Sequence, residues 1–338
     1  MRTRPSQIEL FDILYGIAAR DGREEALFGG DVLLARPAFE RMLIGNDFPR
    51  LYLEFPLMGT PGFDVLAGYD HVDKGAVFRE GAGYGRQDMF DWFAEVCESG
   101  TSASVGFEVD SSAGRTDVAG VYLQQRRKTE LVGSYLSSLG EEVRTASYHS
   151  VRKRLPKGWG PSYVGLFPGR ANTPMRIGGY LSPRAQARCA DDPECLRGCL
   201  EQAGFASYTD EMLLRCSRLM GIAPSVDFQL DIFPDGSLGS TFGLSLSFNE
   251  VSPHESRACL ESGYGSCLMG LLESWGLVDE RWRHVAGIPF ARRIGYERED
   301  GGVGRLALCI ALNFVKVKFT DGVAQPAKFY VMCVGKDL

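Results

Sequence analysis

Five times along the chain, helical periodicity gives way to two short segments whose side chains alternate between apolar and polar. This recurrence restricts the fold more than any other feature. The strand pairs fall at 50–55 and 63–69, 102–110 and 117–125, 162–167 and 175–181, 225–233 and 241–248, and 305–319 and 327–334. Turn-rich breaks at 58–62, 111–114, 168–172, 234–236 and 321–322 separate the members of each pair. Helical patterns precede them at 6–20 and 37–44, 87–97, 129–139 and 141–154, 183–202 and 210–221, and 254–274 and 279–283. Ser6 followed by Glu9 has the spacing of a capping box and sets the first helix start. The five units share a pattern, not residue identities.

Each strand has one apolar and one largely polar face. Leu51, Leu53 and Phe55 alternate with Arg50, Tyr52 and Glu54, and Val105, Phe107 and Val109 with Ser104, Gly106 and Glu108. Val226, Phe228, Leu230 and Ile232 oppose Asp227, Gln229 and Asp231, while Phe329 and Val331 oppose Lys328 and Tyr330. Such strands bury one face only, and the intervening helices must cover it. A ten-stranded antiparallel sheet curls or closes. The expected fold is therefore α+β: a ten-stranded antiparallel β-barrel with a polar lumen surrounded by α-helices, a single domain over residues 1–338. This inverts the ordinary small barrel, whose interior is apolar and filled.

Composition narrows the functional classes. The 338 residues are 44% hydrophobic, enough for a large core, and the net charge of −6 argues against a nucleic-acid or membrane-surface partner. No apolar stretch precedes Ser6 as a secretory signal would require, and no run approaches the ~18 residues of a membrane span. Nine cysteines, an odd number, fit reduced thiols in the cytoplasm. The histidines at 71, 149, 254 and 284 form no metal-ligand spacing. Cys189, Cys195 and Cys199 read more economically as buried small thiols on a helix than as a zinc site. The glycines at 81–85 lack a P-loop context, and no Gly-x-Ser-x-Gly elbow occurs.

Four strand segments carry a family resemblance. Leu53-Glu54-Phe55-Pro56-Leu57 is similar to the glutamate strand of indole prenyltransferases, and Tyr122-Leu123 to the end of a Lys-x-Tyr-Leu strand. Arg176-Ile177-Gly178-Gly179-Tyr180-Leu181 is similar to an Arg-x-Lys-x-Tyr-Leu strand, and Lys328-Phe329-Tyr330 to a Lys-x-Tyr strand. Together with the five-fold αββα pattern, the chain resembles the ABBA-type (PT-barrel) prenyltransferases, which include indole, aromatic and cyanobactin-type peptide enzymes. It departs from them at Gly120 and Gly178, where lysines are expected, and in a second strand that offers Asp64 and Gly68 in place of a basic residue.

The resemblance implies transfer of a C5 or C10 prenyl group from dimethylallyl or geranyl diphosphate to an electron-rich acceptor, an aromatic small molecule or a precursor-peptide side chain. It implies no required cofactor, with Mg2+ an optional companion of the diphosphate. Six basic residues share the lumen phase and would hold the diphosphate: Arg50, Arg126, Arg176, Lys316, Lys318 and Lys328. Tyr52, Tyr122, Tyr180 and Tyr330 would shield the allylic cation. Glu54 is the candidate catalytic base, its alternative being an ion pair with Arg50 or Arg176, in which case Asp227, Asp231 or Glu108 could serve instead. Glu108, Asp227, Gln229 and Asp231 would bind the acceptor. On this phasing, acidic residues dominate the outside and cations gather in the lumen. The competing expectation, motivated by Gly120 and Gly178, is a non-catalytic barrel that binds a peptide or an anionic metabolite.

Overall fold

The strand faces set the architecture, and the ladder completes it. The computed structural model describes residues 5–30, 49–71, 87–109, 118–125, 128–167, 173–248, 252–298 and 300–338. The helix expected at 37–44, the turns at 111–114 and 168–172, and Arg126 lie outside them. The strands are β1 Arg50–Pro56, β2 Asp64–Tyr69, β3 Ser104–Val109, β4 Val118–Gln124, β5 Trp159–Leu166 and β6 Met175–Leu181. They continue as β7 Ser225–Ile232, β8 Leu238–Ser247, β9 Phe290–Glu297, β10 Val303–Thr320, β11 Val323–Ala324 and β12 Lys328–Asp337. Neighbours β1 through β8 pair in sequence order, β10 pairs with both β8 and β12, and β12 returns to β1. The result is a closed barrel of ten antiparallel strands.

The apolar faces point outward. Phe55, Val65, Ile177, Leu230, Phe242, Val317 and Phe329 are fully buried between the barrel and its helices. Helix Gln87–Glu98 lays Phe90 on Phe107, with ring centroids 5.6 Å apart. Phe28, from helix Arg23–Phe28, meets Phe55 edge-on at 5.0 Å. Phe248 stacks on Phe329 at 5.3 Å. Burial of this kind stabilises by roughly 1.5–3 kcal/mol per large side chain. Ser6 and Glu9 form the expected capping box on helix Gln7–Ala18, and Ser252 with Glu255 forms a second on helix Pro253–Ser262.

Strands β9 and β10 depart from expectation. No strand is expected at 290–297, because the consecutive Arg292 and Arg293 break the alternation; both are exposed. β9 pairs with the first half of β10, and the last residues of β12 pair with the other edge of the same half. These three segments form a flap off the barrel, under which Leu306, Leu308 and Ile310 are buried. At Asn313 the β10–β12 register shifts, and β10 exchanges β9 for β8 as a partner. Phe248 N–H donates to the Asn313 carbonyl at 2.8 Å across this junction.

If the outward face is the core, Phe329→Ala removes a stacked, fully buried ring and destabilises the protein by about 3–5 kcal/mol in urea unfolding. A loss below about 1 kcal/mol would place the core elsewhere.

Candidate active site in the barrel lumen

The register carries the polar faces inward and brings distant residues together. Glu54 lies opposite Asp64 on one side and Tyr330 on the other. Arg176 lies opposite Gly165 and Asp231, and Tyr180 opposite Asp227. Gln229 faces Gly243, which in turn faces Lys318, while Ser245 faces Lys316 and Lys316 faces Lys328. A cavity of about 350 Å³ occupies the lumen. Arg50, Tyr52, Glu54, Glu108, Tyr122, Asp227, Lys316 and Tyr330 all line it. Arg176, Lys318, Lys328, Tyr180, Gln229 and Asp231 share the inward face without lining this cavity.

The lumen does not collect cations alone. Among the described residues, Arg50, Arg176, Lys316, Lys318 and Lys328 are matched by Glu54, Asp64, Glu108, Asp227 and Asp231 on the same inward faces. The expected concentration of positive charge is therefore corrected to a balanced one, for a physical reason. A charge removed from water needs a partner. Glu54 takes Lys328, not Arg50 or Arg176, and Lys328 also reaches Asp64 at 3.5 Å. Arg176 pairs with Asp231 at 3.0 Å and stacks 4.4 Å from the Phe167 ring. Arg50 stands apart from these groups, bound to Asp70 and Tyr52. The Tyr122 hydroxyl donates to Glu108.

Two cations are left over. Neither Lys316 nor Lys318 is ion-paired among the described residues; the Lys316 ammonium instead sits 5.9 Å from the Tyr330 ring centre. Burial, then the charge of Arg176, pushes Lys318 down to about 8. Burial, Lys318 and Arg176 push Lys316 well below the usual lysine range. Close by in register, the buried Gln229 has both amide atoms without a hydrogen-bond partner among the described residues. Burial alone would push Glu54 up, yet Lys328 and Lys316 hold it at about 2. Asp227 moves the other way, raised by burial. Such an arrangement can accept an anion beside lysines that carry no ion pair and can stabilise a cation against aromatic faces.

Aromatic rings occupy the places where lysines are expected. A Cβ on Gly178 would lie 2.1 Å from the Tyr163 ring, and one on Gly165 would lie 2.6 Å from Tyr122. At Gly120 the neighbours are Phe167 at 3.1 Å and Tyr122 at 3.2 Å. Tyr180 lies over Gly160 in the same way, which keeps it against the wall. Glycine on one strand thus makes room for a ring from the next. Tyr122, Tyr163 and Phe167 form an edge-to-face series, and Phe314 stacks on Tyr330 at 4.1 Å. Sequence reading missed Tyr163 because a register shift between Pro161 and Tyr163 breaks the alternation of β5. Phe314 shares the phase of Lys316 and Lys318 and was passed over inside an apolar run. Gly178, opposite Tyr163, was the signal available for that ring.

No family model matches the chain, and no curated protein matches it in sequence. Solved structures do match. 5-Dimethylallyltryptophan synthase from Streptomyces coelicolor aligns with a TM-score of 0.50 and 11% identity over 97% of each chain. The same enzyme in complex with DMASPP and Trp aligns at 0.51 and 12% identity, over 97% of this chain and 94% of that one. The prenyltransferase PriB in its apo form aligns at 0.50 and 12% identity, over 98% and 96%. The barrel is thus the PT-barrel of the ABBA-type prenyltransferases.

The ring–glycine contacts predict a coupling across strands. Gly178→Ala drives the Tyr163 ring off the wall, so its cost shrinks when Tyr163→Ala is also present. A double-mutant cycle in chemical unfolding should give a coupling of about 0.5–3 kcal/mol. Additive effects would mean that the ring does not rest on Gly178.

Proposed function

We propose that the chain, acting over residues 1–338 as one barrel domain, transfers a dimethylallyl or geranyl group from its diphosphate to an electron-rich aromatic acceptor. The observation that carries this reading is the pair of unpaired ammonium groups, Lys316 and Lys318, set beside Arg176 in an aromatic-walled lumen. The likeness in fold to aromatic prenyltransferases supports it.

In this reading the diphosphate docks at Lys316 on the cavity wall, drawn by the charges of Lys318, Arg176 and Lys328 on the same inward faces, and Gln229 turns its orphaned amide toward it. The allylic carbon–oxygen bond breaks, and the electron pair leaves with the pyrophosphate, whose growing charge the cations stabilise. The allylic cation is held against Tyr52, Tyr122, Tyr163 and Tyr330, which exclude water. The acceptor ring attacks this carbon, forming the new bond. Glu54, held ionised by its lysines, accepts a hydrogen bond from the acceptor and orients it. Asp227, raised by burial and on the cavity wall, takes the proton that the ring loses as aromaticity returns. Arg50, held by Asp70, completes the cavity wall. Because the protein supplies its own cations, Mg2+ is an adjunct to the diphosphate and not a requirement.

The non-catalytic alternative rests on the missing lysines at 120 and 178. It is weakened because rings fill those places while two other lysines stand unpaired.

Incubation with dimethylallyl or geranyl diphosphate and a panel of indoles, phenols and peptides, with and without Mg2+, should add one prenyl unit by mass. Lys316→Gln should lower turnover by roughly 10²–10³-fold. Failure across the panel, with no pyrophosphate binding by calorimetry, would sink the reading. A second test uses protons. A lysine held near 8 in the free protein regains its proton when an anion binds, so pyrophosphate binding at pH 8 should take up protons and weaken as pH rises. Calorimetry in two buffers of different ionisation enthalpy measures the uptake, which Lys318→Gln should diminish.

A further inference from the structure

Outside the lumen, a side-chain cluster unrelated to prenyl transfer sits in the helical layer. Helices Pro183–Asp191 and Pro193–Ala203 meet at a corner made by Asp192, whose carboxylate caps the second helix by accepting from Glu194 N–H at 2.9 Å. Cys189 ends one arm of the corner; Cys195 and Cys199, one helical turn apart, lie along the other. Their three Sγ atoms lie within 4.8 Å of one another, and all three are free thiols. Among the described residues, no other group of three or more His, Cys, Asp or Glu converges in this way.

We propose that Cys189, Cys195 and Cys199 bind one thiophilic d10 cation, Zn2+ or Cu+, as three thiolates, clamping the corner between the two helices. Zinc–thiolate bonds of about 2.3 Å separate the sulfurs of a tetrahedral set by roughly 3.8 Å, so closure onto one ion needs shifts of at most about 1 Å. Soft thiolates select these ions. Cys189 is buried, whereas Cys195 and Cys199 are half-buried, which leaves an open side for a water on Zn2+ or for three-coordinate Cu+. The three thiol protons leave to solvent on binding.

The surroundings suit an anionic ligand set. The Arg188 guanidinium donates to Cys195 Sγ at 3.3 Å, the kind of outer contact that orients and stabilises a ligating sulfur. The clamp would act on the lumen indirectly. Gln186, on the first helix, donates to the Met220 and Ala223 carbonyls at 2.9 and 2.7 Å, tying the corner to helix Asp210–Ile222 and the start of β7. β6 and β7, which carry Arg176, Asp227 and Asp231, are the strands joined through this corner.

The full chain, reduced and metal-free, is loaded anaerobically with Zn2+ or Cu+ in separate arms and desalted. Elemental analysis should find one equivalent per chain of at least one ion, and the two arms identify which. Co2+ should give thiolate-to-cobalt charge-transfer absorption, and metal should raise the melting temperature. Cys195→Ser, at a half-buried position that tolerates the change, and Cys189→Ser should weaken binding roughly a hundredfold, and Arg188→Ala about tenfold or more. Cys267→Ser, at an exposed cysteine on another helix, should bind as the parent does. Uptake of neither ion by the parent overturns the proposal. So does uptake unchanged in both ligand variants, or a disulfide among these cysteines in protein isolated under reducing conditions. Prenyl transfer is not a readout, so the two proposals stand or fall separately.

Discussion

The ladder between β8 and β10 is the constraint on which the rest depends. Seven residue pairs, from Phe314 opposite Ser247 to Thr320 opposite Thr241, turn a ten-stranded sheet with one wet face into a tube that encloses it. Ring closure removes the open edges. It also removes most of the water from every inward side chain. The strand that closes the ring carries Lys316 and Lys318, so two residues altered by closure belong to the closing element itself. Their lowered proton affinities and their position beside Arg176 are two readings of one geometric event.

The balance of charge inside the tube follows. Buried ion pairs seldom add to stability relative to an apolar filling, because desolvation offsets most of the attraction. A lumen with five cations and five carboxylates among the described residues is therefore poorly explained as scaffolding. The stability comes from the outer face, where Phe55, Phe107 and Phe329 meet the helices. Division of labour between the two faces leaves the inner one free to carry groups selected for chemistry.

How much of this could be read from the sequence depends on the range of the interaction. Alternation is local, and it placed Arg50, Tyr52, Glu54, Tyr122, Arg176, Lys316 and Tyr330 on one inward phase, as the register has them. It failed where the backbone changes phase, so Tyr163 was overlooked at the β5 register shift, while Phe314, in phase with Lys316, was passed over inside an apolar run. It failed again at β9, whose Arg292 and Arg293 face solvent on a flap and not on the barrel wall. Pairing inside the lumen was beyond its reach. Glu54 and Lys328 are 274 residues apart, and only the return of β12 to β1 brings them together. Nor could spacing show that the missing lysine at 178 is the counterpart of the tyrosine at 163 on the next strand.

That last relation bears on how such a pocket diverges. A ring seated on a neighbour's glycine couples pocket shape to a residue that never touches a ligand. One methyl group gained on the glycine strand relocates an aromatic surface while every backbone hydrogen bond stays in place. Pocket shape can then change by paired exchanges between adjacent strands. Overlap of nearly the whole chain with structures sharing only 11–12% identity shows one fold built from very different residues.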